Sequence, residues 1–196
     1  MTSVFFETNS YFIDEKVNFL KFANEYKVYN ESAQQIGVIK QKLSVGQKFL
    51  HLILNKAMLP FHLDFVNCNN EVEASISRGW TFFMSRIEVL DYDGKVIATI
   101  KQRFKFLKPT FEIFDQNMRQ IAEIKGDWKA WHFTILNHDK TEIGTISKKW
   151  AGVAKELFTT ADKYNVVLQD RMLDKNSKKS ILACAISVDM ILKESK

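Results

Sequence analysis

Apolar and polar residues alternate along this chain in short runs, and the runs come in pairs. Each pair has a strand-like segment rich in β-branched and aromatic residues, a polar joint, and a second such segment ending in basic residues. Five copies stand at residues 26–29 with 36–42, 63–66 with 72–78, 87–90 with 96–103, 111–114 with 121–125, and 133–136 with 143–149. Asn30, Asn67, Asp91, Asp115 and Asn137 open the joints. Asn and Asp tolerate turn conformations and bond their own backbone, so each pair reads as a β-hairpin. After the first copy the spacing is about 25 residues, a repeat that orders most of the chain. In the longer gap, Phe49, Leu50, Ile53 and Leu54 recur at helical spacing up to Pro60, which predicts a short amphipathic helix over 44–60. A second short helix or turn is expected at 150–158. Residues 164–169 read as another strand, with a partner opening at Met172 and Leu173.

Residues 180–193 break the pattern. They are apolar on nearly every side, interrupted by Ser187 and Asp189. A helix apolar all round needs burial in a core or a membrane. Its length of roughly 20 Å falls short of the roughly 30 Å of a hydrocarbon core. Five hairpins and one more strand pair make about a dozen strands, a sheet that tends to curl or split unless it closes. The expected fold is therefore mainly β: a closed, roughly twelve-stranded antiparallel barrel around a C-terminal apolar helix. A two-sheet sandwich with the helix outside is the alternative. It would leave one flank of the helix wet.

Composition narrows the picture modestly. The 196 residues carry 16 phenylalanines and few Pro or Gly, with no linker, so a single domain over 1–196 is expected. A net charge of +5 permits an anionic surface as partner but is weak for nucleic acid. Cys68 lies in a polar joint and Cys184 in the apolar helix, which argues against a disulfide framework. The first residues lack the basic-then-apolar pattern of a signal peptide, and the recognised lipidation signals are missing. A reduced, cytoplasmic protein is expected, peripheral to the inner face of the membrane if it meets one.

No catalytic set stands out. His51, His62, His132 and His138 are scattered, with no paired cysteines and no Gly-rich phosphate loop, so the chain does not read as an enzyme. The second strands of the hairpins all end at one rim, opposite the tips. Basic residues collect there: Lys40 and Lys42, Arg78, Lys101, Arg103 and Lys105, Lys125 and Lys129, Lys148 and Lys149. Trp80, Phe104, Phe106, Trp128, Trp131 and Trp150 follow them. Basic residues interleaved with tryptophan suit an anionic membrane interface. In the competing reading the tryptophans plug the barrel end and the lysines are merely solvated. Asp189 must be paired or neutral if buried, so a basic or hydroxyl partner from a strand is expected.

The run from Ile143 to Tyr164 (Ile143-Gly144, Lys148-Lys149-Trp150, Gly152, Glu156, Phe158-Thr159, Ala161-Asp162, Tyr164) resembles the phospholipid scramblase family. The Val188-Asp189 step of the last helix is similar to that family's C-terminal helix. The earlier hairpins, at 22–29 and from 111 to Trp128, resemble bacterial LURP-one-related proteins. This resemblance implies the tubby-like fold and a lipid-related activity. Animal scramblases have a proposed calcium motif with two acidic residues before the helix; Thr160-Ala161-Asp162 keeps only the second. Calcium takes several oxygen ligands, and Asp162 alone is a poor start, so no cofactor is called for. The expected function is a non-enzymatic protein that binds anionic phospholipid or a membrane surface. The expected contacts are Lys101, Arg103, Lys105, Lys125, Lys148, Lys149, Trp128 and Trp150. Phospholipid scrambling is one alternative; an intracellular ligand-binding or scaffold barrel is another.

Overall fold

A computed structural model describes residues 5–16, 24–43, 59–80, 86–105, 108–127, 129–148, 163–169 and 173–194. Twelve strands form a closed antiparallel barrel in which every strand pairs with its sequence neighbours. They are β1 (Ser10–Lys16), β2 (Glu25–Tyr29), β3 (Gln35–Lys42), β4 (Phe61–Asn67), β5 (Val72–Arg78), β6 (Arg86–Asp91), β7 (Val96–Lys105), β8 (Lys108–Asp115), β9 (Gln120–Asp127), β10 (His132–Asn137), β11 (Glu142–Ser147) and β12 (Lys163–Leu168). One helix, α1 (Lys175–Glu194), threads the barrel. Closure leaves the sheet no edge. The architecture is the one that the hairpin count and the apolar helix imply.

The five hairpins are built alike. In each tip the opening residue donates its N–H to the carbonyl four residues on, and its carbonyl accepts from the N–H three residues on. That third residue is left-handed in every copy: Ala33 (φ 58°), Asn70 (64°), Gly94 (81°), Met118 (60°) and Lys140 (65°). This is a three-residue loop closed by a bulge. The opening side chains cap their own turns. Asn30, Asn67 and Asp115 each accept two backbone N–H groups on Oδ1, and Asn137 Oδ1 accepts from Thr141. Asp91 differs: its carboxylate bonds Lys179 of α1, while Asp93 caps Lys95 and Gly94 takes the left-handed position without a Cβ.

The interior is layered by the same repeat. Seven residues after each opening residue stands a small one, Gly37, Ala74, Ala98, Ala122 or Gly144. Each lies across from the last residue before the bulge: Val28, Phe65, Val89, Ile113 or Ile135. Two residues further on, every copy places an isoleucine inside, Ile39, Ile76, Ile100, Ile124 and Ile146, all fully buried. A large residue facing a small one keeps the wall thin, and the room goes to the helix. From Ile181 to Met190 every residue of α1 is buried, which requires walls on all sides. Ser187 donates Oγ to the Ala183 carbonyl, so its hydroxyl is satisfied within the helix.

Two features differ from the sequence expectations. The helix starts at Lys175 rather than 180, because Asp174 caps it: Oδ1 accepts from the Asn176 and Ser177 amides, and Oδ2 from the Ser177 hydroxyl. The strand that completes the barrel is β1, from the N-terminal part of the chain, which pairs with both β12 and β2. Leu173 leads directly into the helix instead of opening a partner strand. The helix expected over 44–60 and the turn at 150–158 fall almost entirely outside the described residues.

Candidate functional site

The barrel has two unlike ends. Hairpin tips form one, and α1 enters there, tied by Lys179 to Asp91 and by Lys175 to Glu7 at 3.6 Å. The second strand of each hairpin ends at the other, where the sequence places its basic residues. Lys101 and Arg103 of β7 and Lys125 of β9 are each one residue out of phase with the interior Ile100, Gln102 and Ile124, so they point outward. Register puts Arg103 beside Thr110 and Thr110 beside Lys125. The two cations therefore share a transverse row about 10 Å apart at ordinary strand spacing. One step nearer the tips, Lys101 lies between Arg86 and Glu112.

Neighbours temper this charge. Arg103 Nε donates to Glu112 Oε2 at 2.7 Å. Lys101 Nζ stands 4.9 Å over the Phe114 ring. Lys125 and Lys129 are exposed, as is Arg86, which the sequence reading missed. Arg86 opens the strand facing Lys101, so counting back along the hairpin from the Asp91 tip finds it. Arg78 goes the other way. It is in phase with Ala74 and Ile76, points inward, stacks over Phe61 at 4.5 Å and donates to the Leu59 carbonyl at 2.7 Å. It fastens the chain entering β4 and is removed from the surface set.

Lys148 stands 4.8 Å over Trp131. The other contacts of that indole are interior: Tyr164 at 5.2 Å and Phe133 at 5.9 Å, edge-on. Trp131 is thus a plug at the barrel end with a lysine on it, and Trp80 is the exposed tryptophan among the described residues. Behind Trp131, the fully buried Tyr164 has its hydroxyl pKa pushed up, first by burial and then by the negative charge of Asp189. Asp189 is 1 % exposed, and it acts on Tyr164 through its charge, since the Tyr164 hydroxyl makes no hydrogen bond among the described residues.

The nearest approach to a catalytic grouping is on the outer wall. His62 Nε2 and Ser75 Oγ both meet Asp64 Oδ1, at 2.9 and 2.8 Å, and Lys42 meets Oδ2 at 2.5 Å. A serine activated for attack must donate to the histidine. Here both donate to the aspartate, an anchoring hub rather than a relay. Burial acts to raise the Asp64 pKa, but Lys42, Ser75 and His62 together hold it below the usual carboxylate value. Among the described residues, no group of three or more His, Cys, Asp or Glu side chains is placed to hold a metal.

The family model that describes scramblases matches residues 15–194. The chain belongs to the scramblase family. No curated protein matches it. A protein from Arabidopsis thaliana of known crystal structure has the same fold, with a TM-score of 0.50 at 10 % identity over 99 % of this chain and 98 % of that one. The barrel is therefore tubby-like, as the sequence resemblance implies. Among the described residues of this scramblase-family chain, no helix is long and apolar enough to cross a membrane. Lys149, Trp128, Trp150 and Asp162 lie outside the described residues, and of Lys105 only the backbone is described.

Proposed function

We propose that this scramblase-family protein is a non-enzymatic barrel that docks on anionic phospholipid, as a peripheral protein of the inner membrane face, through the end opposite its hairpin tips. One observation carries the reading: the strand register gathers Arg86, Lys101, Arg103 and Lys125 on one outward stretch of β6–β9, beside the exposed Lys129. Each cation close to an anionic bilayer contributes about 1 kcal/mol. Arg103 contributes less, since Glu112 already holds it. Lys105, Lys148, Lys149, Trp128 and Trp150 complete the proposed contact. Asp162 by itself supplies too few oxygens to require calcium.

Co-sedimentation with vesicles tests the proposal. Vesicles containing phosphatidylserine should pull the protein down at low salt, with and without a calcium chelator, and pure phosphatidylcholine should not. Lys101→Gln with Lys125→Gln should weaken the partition roughly 30-fold, from about 1 kcal/mol per cation. No binding to anionic vesicles at low salt would remove the lipid reading; binding only with calcium would remove its calcium independence. Scrambling is the second reading that the family raises. Reconstituted protein that speeds dithionite bleaching of inner-leaflet fluorescent lipid would establish it in place of surface docking.

A further inference from the structure

Four of the five large apolar side chains exposed among the described residues stand at the tip end, away from the proposed membrane contact: Val72, Tyr92, Val96 and Met118. They follow one another over three successive tips, β4–β5, β6–β7 and β8–β9. Tyr92 is 72 % exposed, a ring held in water by a tight turn. Below Val72 and Tyr92 lies a crevice of about 520 Å³ between the first two of these tips and the opening turn of α1. Glu71 and Glu73 line it. Each gives one carboxylate oxygen to the same amide, Asn67 Nδ2, at 2.9 and 2.7 Å. The crevice also contains Lys175 and Lys179, but these are paired with Glu7 and Asp91. Glu71 and Glu73 thus share one neutral amide donor and form no ion pair with either lysine, which leaves their remaining carboxylate oxygens to face the crevice.

We infer that the tip end is a docking surface for a protein partner that presents a basic, apolar segment, with an arginine or lysine entering the crevice at Glu71 and Glu73. The carboxylate pair supplies the charge complement. A guanidinium is planar and forked, so it can meet a carboxylate with two hydrogen bonds while stacking on the Tyr92 ring. Apolar neighbours in the partner cover Val72, Val96 and Met118. The site lies at the far end of the barrel from the proposed lipid contact, so a membrane-bound molecule keeps it open.

Fluorescence anisotropy with a labelled short peptide alternating arginine and leucine, in the absence of lipid, tests this, with a glutamate–leucine peptide for comparison. The arginine peptide should bind and the glutamate peptide should not. Glu71→Gln with Glu73→Gln should weaken binding about tenfold or more, and Tyr92→Ser about threefold. Glu88→Gln with Asp127→Asn removes the same charge away from the tips and should leave binding unchanged. All these positions are at least partly exposed, and equal melting temperatures would show the variants folded. The inference is overturned if the charge-matched control weakens binding as much as the crevice variant, if the peptide ignores both, or if sedimentation shows the tips already occupied by a second copy of the chain.

Discussion

Lys179 and Asp91 form the ion pair that locks the helix to the wall. Their side chains are 6 % and 22 % exposed, and the lysine also stands 5.6 Å from the Phe6 ring. Burial acts to raise the Asp91 pKa. The Lys179 hydrogen bond, the Tyr92 amide and the charges of Lys179 and Lys175 outweigh it and hold the carboxyl below its ordinary value. A depressed acid contributes stability that is fully present above the unfolded pKa of about 3.9 and is lost as pH falls through the folded value. Asp91→Asn strands a buried ammonium, at a cost of about 3 kcal/mol. In a chain of this size that lowers the melting temperature by about 6–12 °C. The variant should also lose less stability than the wild type as pH drops below about 4, since one depressed carboxylate is gone. Thermal melts at neutral and acid pH measure both effects, and a variant that melts like the wild type at pH 7 shows that the pair does not hold the helix.

At the level of elements, the hairpin repeat sets wall thickness. Ala98 is 1 % exposed and faces Val89 across the bulge, and the corresponding small residues of the other four hairpins do the same job. Ala98→Leu must push either the helix or Val89, an overpacking cost of about 3 kcal/mol. Denaturant midpoints measure it, and an unchanged midpoint would mean that the layer has slack. The hairpins were legible in the sequence because each carries its whole signal locally: period-two alternation, an Asn or Asp to open the tip, and a small residue then isoleucine behind it. β1 was not. Its partners lie at 25–29 and 163–167, and Tyr11, Phe12 and Ile13 give three apolar residues in succession, so neither a turn nor an alternation marks it. The first turn of α1 was hidden for a related reason: Lys178 and Lys179 look like surface residues, yet both are buried. The basic end was legible as a composition of strand ends but not as a surface. Whether a cation points in or out depends on its parity with the buried isoleucine, which sends Arg78 inward with Ile76 and Lys125 outward beside Ile124.

Among the described residues, charge is unevenly spread. Glu31, Glu71, Glu73, Asp93, Asp139 and Glu142 stand at the tips and outnumber Lys95, Arg119 and Lys140 there, whereas Arg86, Arg103, Lys125 and Lys129 stand toward the other end with Glu25 and Asp127. A dipole of this sense orients a barrel before contact, basic end first, and the effect weakens as salt shortens the screening length. The two cysteines allow the orientation to be read. Cys68 is exposed at the β4–β5 tip; Cys184 is enclosed in the helix, where burial pushes its thiol pKa up and keeps the reactive thiolate scarce. An environment-sensitive thiol dye should therefore attach at Cys68 in the folded protein. On vesicle binding its emission should stay in place, because the tips face away from the bilayer. In a Cys68→Ser background, the same dye at Trp80→Cys should shift to the blue, because the exposed indole it replaces stands at the basic end. The opposite pair of shifts would turn the barrel over. The cationic end would then be a solvated face, and the exposed apolar tips, with Tyr92 foremost, would be what enters the lipid.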